Sequence, residues 1–563
     1  MKPRISRGPR RWGPERWLAP ETAGASSHVW PRWIFLRGLG LIFFSAFLSL
    51  LFQINGLIGP RGLLPARNYL RAVAAHFGPS RFWLAPTLLW LGNGHAALQA
   101  LAWAGLAASA LLTLNRWPRA AVAAAEVLYL SFVAAARDFS NYQSDGMLLA
   151  AGLIALFLAP GGRRPGLGRE EPPTPASVFL LQWLWFRIYF ESGLAKWLGG
   201  DPEWRHLTAL DQYYQNNPLP TWIGYFCQHL PHGFQAAMAL ATLVLELGLA
   251  WLLFTTRRLR LGLFVVSTVF QVGLALTANY AFINWIMLAL GVLLLDDGWI
   301  EGMRERWRRR RRGATAAAAA AVAAAVAAGE DGPAGAPAMA AAAAAAAPQP
   351  MPPPDARRGA GAQPSHGRGR RWLEGITLGW VLYATLALLL WMPWPRLPLP
   401  TAPVAALAPF RVANQYGLFA RMTRSQYEIE FQGSRDGKHW TAYPFRFKPQ
   451  RRRQAPGIYA PYQPRFDWNL WFAARGPWQQ TPWVVRCEAE LLRGDGAVLS
   501  LFAGNPFGQR PPRYARAVLW RYWFTSLTTL RRTGRWWRRR YVGLYAPELQ
   551  RLPGGKLAVA AWP

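Results

Sequence analysis

The first 400 residues alternate long apolar runs with short polar ones. A membrane-spanning helix needs about 20 mostly apolar residues, and the apolar runs approach that length, the fourth and eighth being shorter than the rest. The run FWLAPTLLWL from Phe82 is a candidate for a separate re-entrant or interfacial piece. We therefore predict about nine transmembrane helices, at Ile34 to Ile54, Ala96 to Leu114, Ala120 to Ala136, Gly146 to Pro160, Val178 to Leu198, Phe234 to Phe254, Leu261 to Thr277, Phe282 to Leu295 and Ile376 to Trp394.

After Trp394 the pattern changes from helical spans to alternation with a period of two. In SQYEIEFQGSRDGKHW, from Ser425, apolar and polar residues alternate before an Asp-Gly pair, which predicts a β-hairpin with one buried face. A second alternating run starts at Ala515. The stretch from Trp483 suits a short helix closed by Gly494. We expect a β-rich domain with minor helical content.

Together these patterns define the predicted fold class and domains. The chain is predicted to be a polytopic α-helical membrane protein of about nine spans with a C-terminal β-rich extracytoplasmic domain. The predicted parts are a basic cytoplasmic N-terminus (1–33), a transmembrane helical domain (34–300), a low-complexity cytoplasmic linker rich in Ala and Pro (301–373), a final transmembrane helix (374–394) and the β-rich domain (395–563).

Composition supports membrane insertion. Of 563 residues, 52% are hydrophobic and 31 are Trp, well above what soluble proteins carry. The formal charge of +35 comes from Arg clustered in short runs between apolar stretches, which is typical of membrane loops rather than of a nucleic-acid interface. We predict no nucleic-acid partner and no cleaved signal peptide.

The distribution of Arg also predicts the orientation, because short basic loops stay in the cytoplasm. With the N-terminus inside, four basic loops lie inside as well: Arg116 and Arg119, Arg163 and Arg164, Arg257 to Arg260, and Arg308 to Arg312. The arginines between Arg61 and Arg81 are the main exception. An odd number of spans then places everything after Trp394 outside, together with the loop that follows Leu198.

Ionisable residues within the predicted spans need partners or a polar cavity. Arg187 and Glu191 are four residues apart on one helix and are predicted to pair, while Lys196 is predicted to extend its stem to the interface. A structural ion network is favoured over catalysis. The residues kept as candidates for a catalytic role are Lys196, Glu191 and Asp201.

Motifs for common soluble chemistries are absent: there is no phosphate-binding Gly loop, no zinc-protease motif and no nucleophile elbow. We predict no cofactor. Cys227, His229 and His232 are weak metal candidates that lack an evident fourth ligand, so no metal is predicted. Cys227 and Cys487 are predicted either to form one bridge on an oxidising side or to leave Cys487 buried in the domain core.

Several longer stretches resemble the lipase maturation factor family. They include SLLFQINGLIGPRGLLPA from Ser49, TANYAFINWIMLALGVLLLDD from Thr277, NQYGLFARMT from Asn414 and PYQPRFDWNLWFAA from Pro461. Asp145 fits the family pattern, but Ser144, Ala150, Ala278 and Tyr462 depart from it. The matching positions between the two longest blocks are Arg187, Gly193, Lys196, Asp201, Trp204, Arg205, Leu207, Thr208, Leu210, Tyr214, Pro218 and Pro220.

This resemblance implies a multi-spanning protein of the endoplasmic reticulum membrane in animals, needed for lipases to become folded, dimeric and active. A bacterial member would sit in the plasma membrane. The predicted function is a membrane-bound folding or maturation factor for exported client proteins, with the lipid bilayer as its other partner. The candidate client-binding residues are Trp204, Arg205, Tyr213, Tyr214, Asn414, Tyr416, Asp467 and Trp468.

Two other functions remain open at this point. A distant similarity of the family to membrane proteins related to the vitamin K-dependent carboxylase keeps a membrane enzyme as the alternative, acting on an exported protein or a lipid. In that case Lys196, desolvated at a helix end, would serve as a base. A transporter is weaker, because few charged residues are available to line a path through the bilayer.

Overall fold

The computed structural model describes residues 27–328 and 368–563. Positions 1–26 of the predicted basic N-terminal segment (1–33) lie outside the described residues. So do positions 329–367 of the predicted Ala- and Pro-rich linker (301–373).

The described residues up to position 391 are mostly helical. The α-helices are α1 Val29–Ile58, α2 Ala66–Phe77, α3 Arg81–Leu84, α4 His95–Thr113, α5 Pro118–Ala135, α6 Gln143–Leu158, α7 Pro175–Leu198, α8 Pro202–Arg205, α9 Tyr213–Asn216, α10 Trp222–Gln228, α11 His232–Leu243, α12 Arg257–Thr277, α13 Ile283–Gly291, α14 Asp297–Ala328 and α15 Arg368–Trp391. A π-helical turn, Val244–Gly248, and a 3-10 helix, Leu249–Phe254, extend α11, and a 3-10 turn, Val292–Leu294, extends α13.

Among the described residues, six helices are long and apolar enough to cross a membrane. They are Val29–Ile58, His95–Thr113, Pro118–Ala135, His232–Phe254, Arg257–Thr277 and Gly369–Trp391, and a seventh is added if Ile283–Leu294 and Asp297–Ala321, bent by 92°, count as one span. The prediction of a polytopic helical membrane protein is confirmed at the level of six to seven candidate spans.

The other predicted spans differ from these for physical reasons. The span from Gly146 corresponds to α6, which has only 16 residues. The span from Val178 corresponds to α7, which has 24 residues but carries Arg187, Glu191 and Lys196 along its length. These charges lower its hydropathy, although the helix itself is long enough to cross a bilayer.

One end of the helical bundle gathers the starts of α1, α5, α7, α12 and α15. Polar contacts between loops and helix starts define this end, and most of the Arg-rich loops lie here. The contacts are Trp30 N to Asp297 Oδ1 (2.6 Å), Arg257 Nε to Asp296 Oδ2 (2.6 Å), Arg119 Nη2 to Glu171 Oε1 (2.5 Å), Arg370 to Glu171, and Thr174 to Glu374.

The opposite end carries the β-rich part of the chain. The last turns of α1 and α7, the start of α6 and the segment after α12 all bond to residues beyond 410. The contacts are Ser49 Oγ to Gln463 O (2.6 Å), Tyr416 N to Glu191 Oε2 (2.8 Å), Asn414 Nδ2 to Gly146 O (3.2 Å) and Tyr459 N to Asn279 Oδ1 (2.6 Å).

The C-terminal part is built on one antiparallel sheet of six strands in the order β2-β1-β3-β5-β6, with β4 also paired to β3. The strands are β1 Gln426–Ser434, β2 Thr441–Ala442, β3 Tyr514–Phe524, β4 Trp537–Leu544, β5 Glu548–Arg551 and β6 Leu557–Ala561. The helices here are α16 Ala402–Leu407, α17 Arg465–Ala473, α18 Trp483–Arg493, α19 Gly496–Leu499 and α20 Leu527–Thr533.

The predicted elements of this domain are present. β1 and β2 pair at Gln432 and Ala442, and α18 ends at Gly494, whose φ of 69° requires the left-handed conformation that Gly adopts readily. The prediction that the hairpin has one buried face is wrong. Glu428 and Glu430 are buried as well, because Lys448 and Arg539 pair with them on the polar face.

Candidate functional site

A short segment joins the bundle to the sheet, and we call residues 412–424 the strap. It crosses the end of α7 and the loop that follows it. Three residues predicted as catalytic candidates bind its backbone. Glu191 Oε2 accepts from Tyr416 N at 2.8 Å, Lys196 Nζ donates to Leu418 O at 2.8 Å, and Asp201 Oδ2 accepts from Met422 N at 2.6 Å.

Lys196 lies at the centre of this arrangement. The prediction that it reaches the membrane interface is wrong, because only 2% of its side chain is exposed. Its ammonium donates to both carboxylate oxygens of Glu246, at 2.9 and 2.7 Å, and lies 5.1 Å from the centre of the Trp204 ring. Glu246 belongs to the π-helical turn Val244–Gly248, a local distortion that is frequent at functional sites.

Arg187 and Glu191 form the predicted pair, with Arg187 Nε 2.6 Å from Glu191 Oε1. Both side chains are fully buried. Arg187 also donates to the carbonyl of Asn414 and lies over the ring of Tyr416. Because the other oxygen of Glu191 binds Tyr416 N, this ion pair holds the start of the strap.

Most of the predicted client-binding residues are buried in this conformation. Trp204, Tyr213, Tyr214, Tyr416, Asp467 and Trp468 are buried, Asn414 is half-buried and Arg205 is exposed. The Trp204 indole donates to the Phe419 carbonyl at 2.8 Å. Trp204 and Tyr213 thus contact Phe419 of the strap, and the role of the whole set in binding a client stays a prediction.

Asp467 lies at the start of α17 and supports a turn of the β-rich part. Its carboxylate accepts from the backbone of Phe447 at 3.3 Å and of Lys448 at 3.1 Å. Burial raises the pKa of Asp467 to about 6, and the two backbone donors and the Lys448 charge oppose that rise. Its contacts fix the turn at 447–448 against α17.

A groove of about 500 Å³ runs between the strap, α17 and the segment before α6. It brings together Tyr213 and Trp468 from the predicted set with residues that the sequence analysis did not single out. The lining residues are Asn141, Tyr142, Gln143, Tyr213, Asn216, Asn217, Pro218, Tyr280, Ile283, Gly417, Leu418, Phe419, Ala420, Arg421, Met422, Thr423, Trp468, Trp471, Phe472 and Arg475.

A smaller cavity of about 60 Å³ lies deeper, beside Lys196 and Glu246. It shares Tyr213, Tyr280 and Phe419 with the groove, so the two are neighbours. The groove is aromatic, and its exposed lining residues are Asn141, Gln143, Arg421, Phe472 and Arg475. Such a surface suits an apolar or acidic polypeptide segment, since aromatic residues and Arg dominate protein interfaces.

A second buried contact, which we call the clamp, joins the sheet to the bundle. Arg465 on α17 makes a bidentate ion pair with Asp145 on α6, at 2.9 and 2.8 Å, and Tyr129 donates to Asp145 at 2.5 Å. The Asp145 charge raises the pKa of Arg465 against the effect of burial. The sequence analysis named Asp145 only through the family resemblance, and Arg465 only as part of the matching block from Pro461.

The weak metal candidates are not brought together. His229 has both ring nitrogens within hydrogen-bonding distance of backbone carbonyls, of Tyr225 and Thr525, and His232 pairs with Asp211. In the part of the chain that the structure describes, no group of three metal-ligating side chains occurs. Cys227 and Cys487 are both free thiols, and Cys487 is fully buried, as the alternative to a bridge predicted.

Comparison with known families covers both parts of the chain. Residues 30–302 match the model of the lipase maturation factor transmembrane domain, and residues 412–547 match that of the lipase maturation factor C-terminal domain. The second match includes the strap and the sheet from β1 through β4, so the groove lies where the two matched regions meet.

Whole-chain relatives give the same result. The chain is 31% identical to lipase maturation factor 1 of Bos taurus over 92% of this chain and 89% of that protein. It is 32% identical to lipase maturation factor 2 of Homo sapiens, over 92% and 82% of the two chains, and 28% identical to human lipase maturation factor 1, over 94% and 90%. No solved structure matches the chain.

Proposed function

Because the chain belongs to the lipase maturation factor family, we propose that this multi-pass membrane protein is a maturation factor for exported proteins, with lipases as one class of client. The observation that carries the proposal is the groove at the junction of the two matched regions, walled by aromatic side chains and edged by Arg421 and Arg475. A client that is not yet fully folded exposes apolar segments, and this groove offers them a rigid aromatic surface.

The orientation that this function requires places the groove on the side that exported proteins enter. The bundle end opposite the β-rich part carries Arg119, Arg163, Arg257 and the start of α14, whose arginines run from Arg304 to Arg312, and basic loops favour the cytoplasm. We place the β-rich part outside the cytoplasm, after nine crossings that include the short α6, the charged α7 and the α13 segment. The membrane is that of the endoplasmic reticulum in a eukaryotic cell or the plasma membrane in a bacterium.

Fusion proteins test this orientation. Alkaline phosphatase, which is active only outside the cytoplasm, is joined after Pro563 or after Gly313 in two otherwise identical chains. We expect an active enzyme at Pro563 and an inactive one at Gly313, because an odd number of crossings separates the basic end from the C-terminus. The opposite pattern, with both fusions expressed equally, would place the groove in the cytoplasm and contradict a role in handling exported proteins.

A variant of the groove tests client binding. Phe472 lines the groove and is 46% exposed, so Phe472→Ala removes contact area without opening the core. Truncation of an aromatic anchor costs an interface about 2 kcal/mol or more, roughly thirtyfold in affinity. In cells that lack the gene, we expect wild-type protein to restore the activity of a client lipase and Phe472→Ala to restore much less.

Tyr541 provides the matched control, because it is 47% exposed on β4 and does not line the groove. Tyr541→Ala should restore client activity as well as wild type. Both variants should accumulate to the wild-type level, since neither side chain is buried. The proposal of a maturation factor would fail if deletion of the gene left the abundance and activity of every exported protein unchanged.

A further inference from the structure

The turn between β3 and β4 is unusually basic. We define the basic tip as residues 525–536 together with 451–453, which are joined because the carbonyl of Arg452 accepts from Trp536 N at 2.9 Å and from Trp537 N at 3.1 Å. Its arginine side chains are exposed, and no carboxylate in the described part of the chain pairs with any of them. These side chains are Arg451, Arg452, Arg453, Arg531, Arg532 and Arg535.

The basic tip rests on α10. The Tyr225 hydroxyl donates to the Thr525 carbonyl at 2.9 Å, and the ring of Tyr225 lies 4.9 Å from that of Trp536. The start of α10 is in turn fixed to the last turn of α12, because the Thr221 hydroxyl donates to the Leu276 carbonyl at 2.9 Å. The tip therefore lies at the level where α12 ends.

The surface of α12 locates the bilayer. One side of this helix exposes an apolar stripe that runs to its last turn, formed by Val265, Val266, Val269, Val272 and Leu276. Large apolar side chains remain exposed just beyond it, on α10, the start of α11 and the connection between them, namely Trp222, Phe226, Leu230 and Phe234. Exposed aromatic residues at the end of a lipid-facing helix are typical of the membrane interface.

We propose that the basic tip binds the phosphate groups of anionic lipids in the leaflet that faces the β-rich part. The guanidinium fork of Arg suits phosphate oxygens. A cluster of arginines held at the surface is attracted by a negatively charged leaflet. Contact between Trp536 and Phe226, with ring centres 6.2 Å apart, makes the tip continuous with the interfacial residues of α10. The bound lipids hold the free end of the sheet at the membrane.

Position favours lipid over an acidic protein as the occupant. The groove proposed for clients is formed by the strap and α17, whereas the tip lies at the β3–β4 turn against α10. An exposed cationic surface beside exposed interfacial aromatic side chains matches a layer of headgroups.

Lipid selectivity of the whole protein tests this proposal. The protein is reconstituted into nanodiscs that contain equal amounts of phosphatidylglycerol and phosphatidylcholine, and the lipids retained on release are counted by native mass spectrometry. We expect wild type to retain phosphatidylglycerol preferentially. The triple variant Arg531→Gln, Arg532→Gln, Arg535→Gln should reduce that preference at least about tenfold.

The matched control removes three exposed arginines from the opposite end of the same sheet. Arg435, Arg510 and Arg513 lie near the start of β3, about 33 Å along the strand from the tip. Their replacement by Gln changes the net charge equally, so an unchanged preference in this control shows that position and not total charge decides. The wild-type preference should also weaken between 0.1 and 1 M salt, as the Debye length falls from about 10 to about 3 Å.

A tip variant that folds and keeps the wild-type preference for phosphatidylglycerol would overturn the proposal. If that variant also no longer restores client activity in cells, the tip is a protein-binding surface instead. If the variant does not fold, the salt series on wild type still decides, because a preference that is independent of salt excludes binding through exposed arginines.

Discussion

Replacing Asp145 by Asn should detach the β-rich part from the helical bundle. Asp145 and Arg465 are each 1% exposed, and the pair bridges α6 and α17. Asn fills the same space but leaves the Arg465 guanidinium buried without a counter-charge. Removing one partner of a buried ion pair costs about 3 to 5 kcal/mol. We expect a lower thermal denaturation midpoint and faster amide hydrogen exchange in α17.

The ion pair between Arg424 in the strap and Glu203 on α8 provides the control. Like the clamp, it joins the helical bundle to the C-terminal part of the chain, but 67% of the Arg424 side chain is exposed. Exposed pairs contribute about 0 to 1 kcal/mol, so Arg424→Gln should unfold close to the wild-type temperature. An Asp145→Asn protein as stable as Arg424→Gln would show that the clamp does not hold the domain.

The double variant Asp145→Leu, Arg465→Met separates the loss of charge balance from the loss of packing. Apolar side chains of similar volume often replace a buried pair without a loss of stability. Tyr129 and the Phe139 carbonyl, however, lose their partners here, and each unsatisfied group costs about 1 to 3 kcal/mol. We expect the double variant to be more stable than Asp145→Asn and less stable than wild type.

The clamp also shows where sequence reasoning ends. Helical and strand periodicity predicted β3, α18 with its Gly494 cap, and the pair between Arg187 and Glu191, because each depends on residues near one another along the chain. Arg465 and Asp145 are 320 positions apart, and no local pattern links them. The family resemblance covered both positions but did not show that they pair.

Burial of charge explains the other differences. The sequence analysis took polar residues in β1 to be exposed, and it took Lys196 to reach the interface, because an isolated charge avoids the interior. Glu428 and Lys196 are both buried, each beside a partner of opposite charge. Glu246, the partner of Lys196, is 50 positions away, so the sequence could show the charges but not the pairing.

The strap changes the meaning of the candidate site. Lys196, Glu191 and Asp201 were singled out as acid, base or binding groups, and in the structure each bonds to the backbone of the strap. Leu418 and Phe419 of the strap form part of the wall shared by the groove and the inner cavity. These three side chains therefore hold the strap that forms one wall of the groove.

Substitution of Lys196 should also strongly lower the stability of the protein. Its three ammonium protons are matched by the two oxygens of Glu246 and the carbonyl of Leu418. Lys196→Met leaves Glu246 buried beside an apolar side chain, which costs about 3 to 5 kcal/mol. We expect poor accumulation of this variant in the membrane and a lower denaturation midpoint in detergent.

The double variant Lys196→Met, Glu246→Leu distinguishes a structural role from a catalytic one. It removes both charges, so the remaining loss is that of the hydrogen bond to Leu418 O, about 1 to 3 kcal/mol. If the pair only holds the strap, the double variant accumulates better than Lys196→Met and restores client lipase activity in cells that lack the gene. If Lys196 transfers a proton in a reaction, the double variant accumulates but restores nothing, because Met has no proton to transfer. Client activity per molecule of variant in the membrane therefore separates the two roles.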